Sequence, residues 1–211
     1  MSYLSQLIEG YARFRHNDWS RERGRWSELA EGQSPKVMII ACSDSRVDPA
    51  QIFDVRPGEI FVVRNVAALA PPYETSRGFH GVSAALEFAV TQLGVEEILV
   101  MGHGKCGGCQ AALTGQFDNS TPGEGHFIAD WVRMLDAARD HVRSQFGSVD
   151  DDALLEMERA AVKVSLANLR TFPWVADREG SGSLNLHGAH FSIAEGRLYM
   201  LDEAEDVFRP A

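Results

Sequence analysis

Residues 96–115 read EEILVMGHGKCGGCQAALTG, and this stretch contains both a predicted strand and a predicted helix. Its apolar segment, ILVM, is short and continuous, which is typical of a strand covered on both faces. The glycine-rich turn after it leads into CGGCQAALTG, which is predicted to be a short helix. A buried strand that passes through a tight turn into a helix is the repeating unit of a parallel α/β sheet.

The rest of the chain repeats this alternation of strands and helices. Further strands are predicted at KVMIIACSD (36–44), EIFVVRN (59–65), LNLHGAHFSI (184–193) and RLYMLDE (197–203), and the last two can pair as a hairpin. Apolar residues at helical spacing predict helices over 3–30, 78–93, 125–146 and 151–170.

These elements predict an α/β fold with a central, mostly parallel four-stranded sheet flanked by helices. An antiparallel strand is expected at the C-terminal edge of the sheet, and a helical arm is expected over residues 1–30. The chain has no linker-like stretch, so residues 1–211 are predicted to form a single domain.

Composition narrows the class of protein. The 211 residues carry 30 acidic and 20 basic side chains, a net charge of −10, which argues against a nucleic-acid partner. The N-terminal segment has charges throughout and no signal-peptide pattern, and the longest apolar run, VMIIAC, is far shorter than the roughly 20 residues of a membrane span. We therefore expect a cytoplasmic protein without a membrane partner. Its three cysteines are then expected to be reduced thiols.

Polar, thiol-bearing segments follow two of the predicted strands. CSDSR (42–46) comes after the first strand and HGKC (103–106) after the third. Ligands of open parallel sheets bind beyond the carboxyl ends of the strands, so we expect these two segments to meet at one edge of the sheet.

Three interpretations of GHGKCGGC (102–109) compete. A phosphate-binding loop is disfavoured, because Cys106 stands where that motif has Ser or Thr and Leu99 stands where it has its first glycine. A redox pair, Cys106 and Cys109, has C-x-x-C spacing at a helix start. A metal site formed by Cys42, His103 and Cys106 uses both polar segments, and two thiolates with one imidazole suit zinc and leave a fourth position open.

Asp44 and Arg46 lie in the same segment as Cys42. A carboxylate and a guanidinium two residues apart in a turn can form a bidentate ion pair. Arg46 is then expected to hold Asp44 ionised beside the metal. Asp44 can accept a hydrogen bond there or become the fourth metal ligand.

The paired motifs CSDSRVDP and GHGKCGG resemble those of the β-class carbonic anhydrases, as do GQSP, RPGEIFVVRNVA and NLHGAHF in the same order. The resemblance implies an enzyme with one Zn²⁺ per chain that interconverts CO₂ and bicarbonate through a zinc-bound hydroxide. It implies Cys42, His103 and Cys106 as zinc ligands, and Asp44 and Arg46 as a catalytic dyad.

The resemblance also implies the residues around the substrate. A glutamine at the position of Gln33 contacts substrate across a dimer interface. The pocket positions it implies are Phe61, Val66, Phe88 and the backbone of Gly107.

Some members of the family carry a separate bicarbonate site built from a tryptophan, an arginine and a tyrosine. The matching positions here are Ile39, Arg64 and Phe191, so only the arginine is present. We therefore predict the open, plant-like subtype, in which Asp44 pairs with Arg46 and is a zinc ligand only in a closed state.

The resemblance implies a homodimer or a larger homo-oligomer, with the arm over residues 1–30 packed on the partner subunit. Two alternatives stay open: a zinc hydrolase of carbonyl sulfide or carbon disulfide with the same fold, and a non-catalytic zinc or redox protein that uses Cys106 and Cys109. We expect Cys109 to be a packing residue, and His187 and His190 to serve packing and hydrogen bonds. The carboxylates of DDALLEMER (151–159) are expected to lie on a solvated helix face.

Overall fold

The computed structural model describes residues 2–211. By its internal contacts the chain divides into two compact units, Met1–Ser34 and Pro35–Ala211. None of the helices within residues 2–211 has the length and apolar character that a membrane crossing requires.

The N-terminal unit is helical, as predicted, but its helix is interrupted. Helix α1 (Tyr3–Phe14) continues into a π-helical segment (Arg15–Trp19), and helix α2 (Arg23–Glu31) follows. The ring of Phe14 meets that of Trp26 edge-on at 5.6 Å between centroids, which packs α1 against α2. The apolar face predicted for the arm is exposed at Leu4, Leu7, Ile8 and Tyr11.

The second unit is built on a six-stranded sheet in the order β2-β1-β3-β4-β5-β6. The strands are β1 (Val37–Cys42), β2 (Ile60–Asn65), β3 (Glu97–His103), β4 (Asn185–Ser192), β5 (Arg197–Asp202) and β6 (Val207–Pro210). The first four strands of that order pair in parallel, whereas β5 and β6 pair antiparallel. The predicted fold class is confirmed, and β6 adds a strand that the sequence did not reveal.

The helices of this unit match most of the predicted ones. They are α3 (Pro49–Ile52), α4 (Gly81–Glu87), α5 (Gly107–Thr114), α6 (His126–Val132), α7 (Asp136–Phe146), α8 (Asp151–Leu169) and α9 (Pro173–Gly180). The prediction of one helix over 125–146 is wrong in detail, because a 3₁₀ turn (Arg133–Leu135) separates α6 from α7.

Helix α8 lies against β3 and β4, and glycines on both strands let it approach. A Cβ atom at Gly102 would stand 2.8 Å from one Val162 methyl carbon, and a Cβ atom at Gly188 would stand 2.8 Å from the other. Both distances are shorter than any ordinary van der Waals contact. The close packing places the first half of α8 beside the carboxyl end of β3.

Candidate metal centre

Two cysteines and a histidine meet at the carboxyl edge of the sheet. Cys42 ends β1, His103 ends β3, and Cys106 immediately precedes α5. Their potential ligand atoms lie within 4.8 Å of one another, and the Sγ atoms of Cys42 and Cys106 are 4.0 Å apart. All three residues are buried. The structure therefore brings together the three residues that the sequence singled out, in a group that could hold a metal ion.

The imidazole of His103 is oriented for this role. Its Nδ1 lies 3.0 Å from the carbonyl oxygen of Gly104, so that Nδ1–H can donate to it. Its Nε2 is buried and has no hydrogen-bond partner among residues 2–211. A buried polar atom without a partner is costly, and a metal ion would supply the missing interaction. One imidazole nitrogen and two thiols are a donor set that fits zinc.

The two thiols hold their protons tightly in the metal-free protein. Hydrogen bonding to Cys106, followed by burial, raises the pKa of Cys42 to about 12. Hydrogen bonding to Cys109, followed by burial, raises the pKa of Cys106 to about 12. A metal ion must therefore displace two protons to bind two thiolates.

Asp44 and Arg46 form the predicted bidentate pair. Asp44 Oδ1 accepts from the Arg46 backbone N–H at 2.9 Å and from Nε at 2.8 Å, while Oδ2 accepts from Nη2 at 2.6 Å. These hydrogen bonds hold the pKa of Asp44 well below its usual range. Arg46 Nη2 also donates to the carbonyl of Lys105 at 3.0 Å, which joins the two polar segments. Asp44 Oδ2 lies 3.9 Å from His103 Nε2, so the carboxylate stands next to the candidate metal position.

Arg64, on β2, holds the CSDSR segment through its backbone. Its Nε donates to the carbonyl of Cys42 at 2.9 Å, its Nη2 to the carbonyl of Asp44 at 2.7 Å, and its Nη1 pairs with Asp48 at 3.0 Å. Ile39 is another of the three positions that match the bicarbonate site of some family members, and it is buried in the core. All three guanidinium nitrogens of Arg64 therefore bind residues 42–48. Asp44 is paired with Arg46, as the open subtype requires.

Behind the other polar segment, HGKC, lies a buried carboxylate. Glu158, in DDALLEMER, was expected on a solvated face, but it is only 2% exposed. It accepts hydrogen bonds from the Cys106 backbone N–H and from His190 Nε2, each at 2.9 Å. Helical spacing could have found it, because Leu154 and Val162 lie four residues to either side and both are buried. His190 serves packing and hydrogen bonding as predicted, and His187 pairs with Glu97.

The residues predicted to contact substrate lie in different elements, and their role toward substrate stays a prediction. Phe61 and Phe88 contact each other with ring centroids 6.0 Å apart. Val66 is half-exposed and lines an apolar groove of about 710 Å³. Gly107 is exposed at the start of α5, with open space where a side chain would be. Gln33 is exposed in the N-terminal unit, and its role toward substrate stays a prediction.

Cys109 is part of the hydrophobic core. It is 2% exposed and packs in a cluster that includes Ala112 and Leu113. Cys42, Cys106 and Cys109 are all free thiols.

Comparison with known proteins gives one consistent family. The model of a family described as carbonic anhydrase matches residues 37–198. β-Carbonic anhydrase 3 of Arabidopsis thaliana is 34% identical over 194 residues, which cover 92% of this chain and 74% of that protein. The structure of the β-carbonic anhydrase CcaA superposes with a TM-score of 0.92 at 32% identity, covering all of both chains. One of two tetrameric β-carbonic anhydrases of Sordaria macrospora gives a TM-score of 0.82 at 25% identity, covering 94% of this chain and 96% of that one.

Proposed function

Because this chain belongs to the β-carbonic anhydrase family of lyases, we propose that it catalyses the reversible hydration of CO₂ to bicarbonate and a proton, using one Zn²⁺ per chain. One observation carries the proposal: Cys42, His103 and Cys106 bring their ligand atoms within 4.8 Å of one another beside the Asp44–Arg46 pair. A structural zinc site has four protein ligands, whereas three ligands with an open fourth position are the pattern of a catalytic site.

Zinc at this position would supply a Lewis acid that lowers the pKa of a bound water molecule. Two thiolates cancel much of the charge of the ion, so the surrounding residues must support the reaction. Asp44 is kept ionised by Arg46, and an ionised carboxylate accepts hydrogen bonds but cannot donate them. It can therefore accept the O–H of a water molecule or hydroxide held at the site and fix the orientation of that donor.

The substrate residues have matching chemistry. CO₂ is small and uncharged, and the apolar side chains of Phe61, Val66 and Phe88 suit it better than water or ions. The amide of Gln33 can donate to the oxygen that becomes negative as bicarbonate forms. Gly107 leaves its backbone accessible beside the substrate.

We also propose that the protein is a homodimer or a larger homo-oligomer. The Sordaria macrospora relatives are tetramers by their description. The large apolar side chains Phe79 and Phe127 are highly exposed and line the groove beside Val66. Large exposed apolar patches mark protein interfaces, and a second copy of the chain fits this one.

Metal removal and reconstitution test the proposed function. The purified protein should contain about one zinc per chain, lose CO₂ hydration when a chelator removes the metal, and recover it when zinc is restored. Cys42→Ser should neither hold the metal nor recover activity. Cys109→Ser keeps both proposed thiolate ligands and is the matched control, so it should hold zinc and hydrate CO₂ like the native protein. A native protein that hydrates no CO₂ would instead support the non-catalytic interpretation.

A further inference from the structure

A buried carboxylate stands behind the loop that carries two of the proposed zinc ligands. Glu158, on α8, accepts the backbone N–H of Cys106 at its Oε1 and the Nε2 of His190 at its Oε2, each at 2.9 Å. Both Glu158 and His190 are 2% exposed. A carboxylate is rarely buried so completely unless specific partners require it there.

The loop that Glu158 contacts has an unfavourable backbone conformation. Lys105, between His103 and Cys106, has a φ of 56°, in the left-handed region that residues with a Cβ atom avoid. Such a conformation persists only when surrounding contacts enforce it. Gly104 N–H donates to the carbonyl of Phe191 at 2.9 Å on one side of Lys105, and Cys106 N–H donates to Glu158 on the other.

Removing the acceptor would affect Cys106 directly. Its N–H would be left buried without a partner, which is a costly state, and Lys105 would lose a contact that keeps it left-handed. Both effects favour a loop conformation in which Cys106 moves. The Sγ of Cys106 would move with its backbone, away from Cys42 and His103.

We propose that Glu158 is a positioning residue of the metal centre: it holds Cys106 in ligating position by accepting the Cys106 N–H, and His190 fixes the carboxylate that does so. The inference rests on the proposed function, since a metal bound by Cys106 is what the positioning serves. The hydrogen-bond acceptor, and not the negative charge, carries the effect.

Two variants of similar size separate the acceptor from the charge. Glu158→Gln keeps an oxygen that can accept from Cys106, and its amide can donate to His190 once the imidazole carries its proton on Nδ1. Glu158→Met fills the same space but offers Cys106 no comparable acceptor. The replacement side chain must be large, because Glu158 lines a cavity of about 270 Å³. If the side chain were short, a water molecule from this cavity could accept the Cys106 N–H in its place.

The measurement is the rate at which zinc-loaded protein releases its metal to a chromophoric chelator. Glu158→Met should release zinc roughly 10- to 100-fold faster than the native protein. This is the usual effect of removing a residue that is hydrogen-bonded to a metal ligand. Glu158→Gln should stay within about threefold of the native rate, because its acceptor is retained. The visible absorption of the cobalt-substituted protein should change in Glu158→Met and not in Glu158→Gln.

A loss of stability alone would not give this pattern. Ser165 is fully buried on the same helix and is hydrogen-bonded to the backbone of Ala68 and Ala70. Ser165→Ala is therefore the matched control, since it removes buried hydrogen bonds from α8 without touching Cys106. It should lower the unfolding temperature and leave the zinc release rate unchanged.

The positive φ of Lys105 allows an independent test of the inference. In the Glu158→Met background, Lys105→Gly should slow zinc release, because glycine adopts a positive φ without strain. Lys105→Ala should not slow it, although it equally removes the ion pair between Lys105 and Asp151. The difference between the two variants reports the backbone conformation alone.

Native-like zinc release from Glu158→Met would overturn the inference, and so would equally fast release from Glu158→Gln and Glu158→Met. If Glu158→Met does not fold, His190→Leu replaces it: faster release supports the inference and native release contradicts it. A native protein that binds no zinc would defeat the proposed function itself, which is a distinct result.

Discussion

Asp44 gains its orientation from Arg46, only two residues along the chain, and both ends of the pair are fixed. The carboxylate meets the guanidinium and the backbone N–H of Arg46, and the guanidinium also reaches the carbonyl of Lys105. A local sequence signal could predict this pair because its partners are neighbours. It could not predict that Arg46 also joins the loop that carries His103 and Cys106.

Replacing Asp44 by asparagine should lower kcat for CO₂ hydration by about 10- to 100-fold while zinc content stays at the native level. Asparagine keeps the size but presents an amide N–H₂ where the carboxylate only accepts. Because Arg46 depresses the pKa of Asp44, the native carboxylate is ionised throughout the working range, and the loss should be similar from pH about 6 to 9.

Stopped-flow kinetics over this pH range, with zinc analysis of the same samples, make the measurement. Asp54→Asn is the control, since Asp54 is an exposed aspartate in the same β1–β2 connection, beyond α3. A loss of activity confined to one end of the pH range would contradict the role given to Asp44.

Zinc binding to the metal-free protein should release about two protons per ion at pH 7. The pKa values of Cys42 and Cys106 are each raised to about 12, so both thiols carry protons at neutral pH and must lose them on binding. Affinity should accordingly increase with pH, by about 100-fold per unit, as hydroxide removes the competing protons. Calorimetry in buffers of different ionisation enthalpy measures the proton count, and binding without proton release would exclude a two-thiolate site.

At the scale of elements, the carboxyl ends of β1 and β3 and the start of α5 position the centre. Strand pairing alone sets β1 beside β3, so the sequence could predict from two buried apolar runs that Cys42 and His103 meet. The break between α6 and α7 and the strand β6 were beyond such reasoning. The break occurs inside a continuous amphipathic pattern, and β6 is only four residues long and ends in a proline.

The first turn of α5 lies so close to the segment after β2 that a side chain does not fit there. A Cβ atom at Gly108 would stand 2.7 Å from a methyl carbon of Val66 and 2.9 Å from the Cβ of Ala67. Ala67 itself has a φ of 64°, so its backbone has little freedom to move away. This contact ties a predicted pocket residue to the helix that follows Cys106.

Gly108→Ala should therefore reduce the free energy of unfolding by about 1–3 kcal/mol, as overpacking does. Gly107→Ala is the matched control one residue earlier, because nothing lies within 4 Å of its added Cβ. That variant should be neutral or slightly stabilising, since alanine restricts the unfolded chain. Denaturant unfolding of both variants tests the comparison, and equal stability would show that α5 can shift without cost.

At the scale of the whole molecule, the exposed apolar face of α1 supports the proposed homo-oligomer. Leu7 and Ile8 on α1 are 72% and 58% exposed, although they belong to a regular amphipathic pattern. Such a face is usually covered in the assembled protein. The sequence revealed the pattern, but a pattern does not identify what covers it.

Leu7→Glu combined with Ile8→Glu should shift the protein toward monomers, because burying two added carboxylates at an interface is strongly unfavourable. Light scattering after size-exclusion chromatography measures the mass of the assembly. Glu9→Gln changes a neighbouring exposed residue on the same helix and should leave the mass unchanged. A native mass in the double variant would place the interface elsewhere on the chain.

The sequence could not predict which hydrogen-bond partners the buried polar residues have in the folded chain. Helical spacing places Glu158 on the buried face of α8, but only the fold shows that its carboxylate stands 2.9 Å from the Cys106 N–H. The two residues are 52 positions apart, and no local periodicity relates them. The family motifs single out the proposed metal ligands, whereas the hydrogen-bond partners behind those ligands are identified only by the three-dimensional structure.

Stopped-flow CO₂ hydration by the zinc-loaded protein, with carbonyl sulfide and carbon disulfide as competing substrates, is the decisive test of the proposed carbonic anhydrase activity. We expect rapid turnover of CO₂ within pH about 6 to 9, far above that of either sulfur compound, and its loss when the metal is removed. A protein that holds about one zinc per chain and yet hydrates no CO₂ anywhere in that range would contradict the proposed activity.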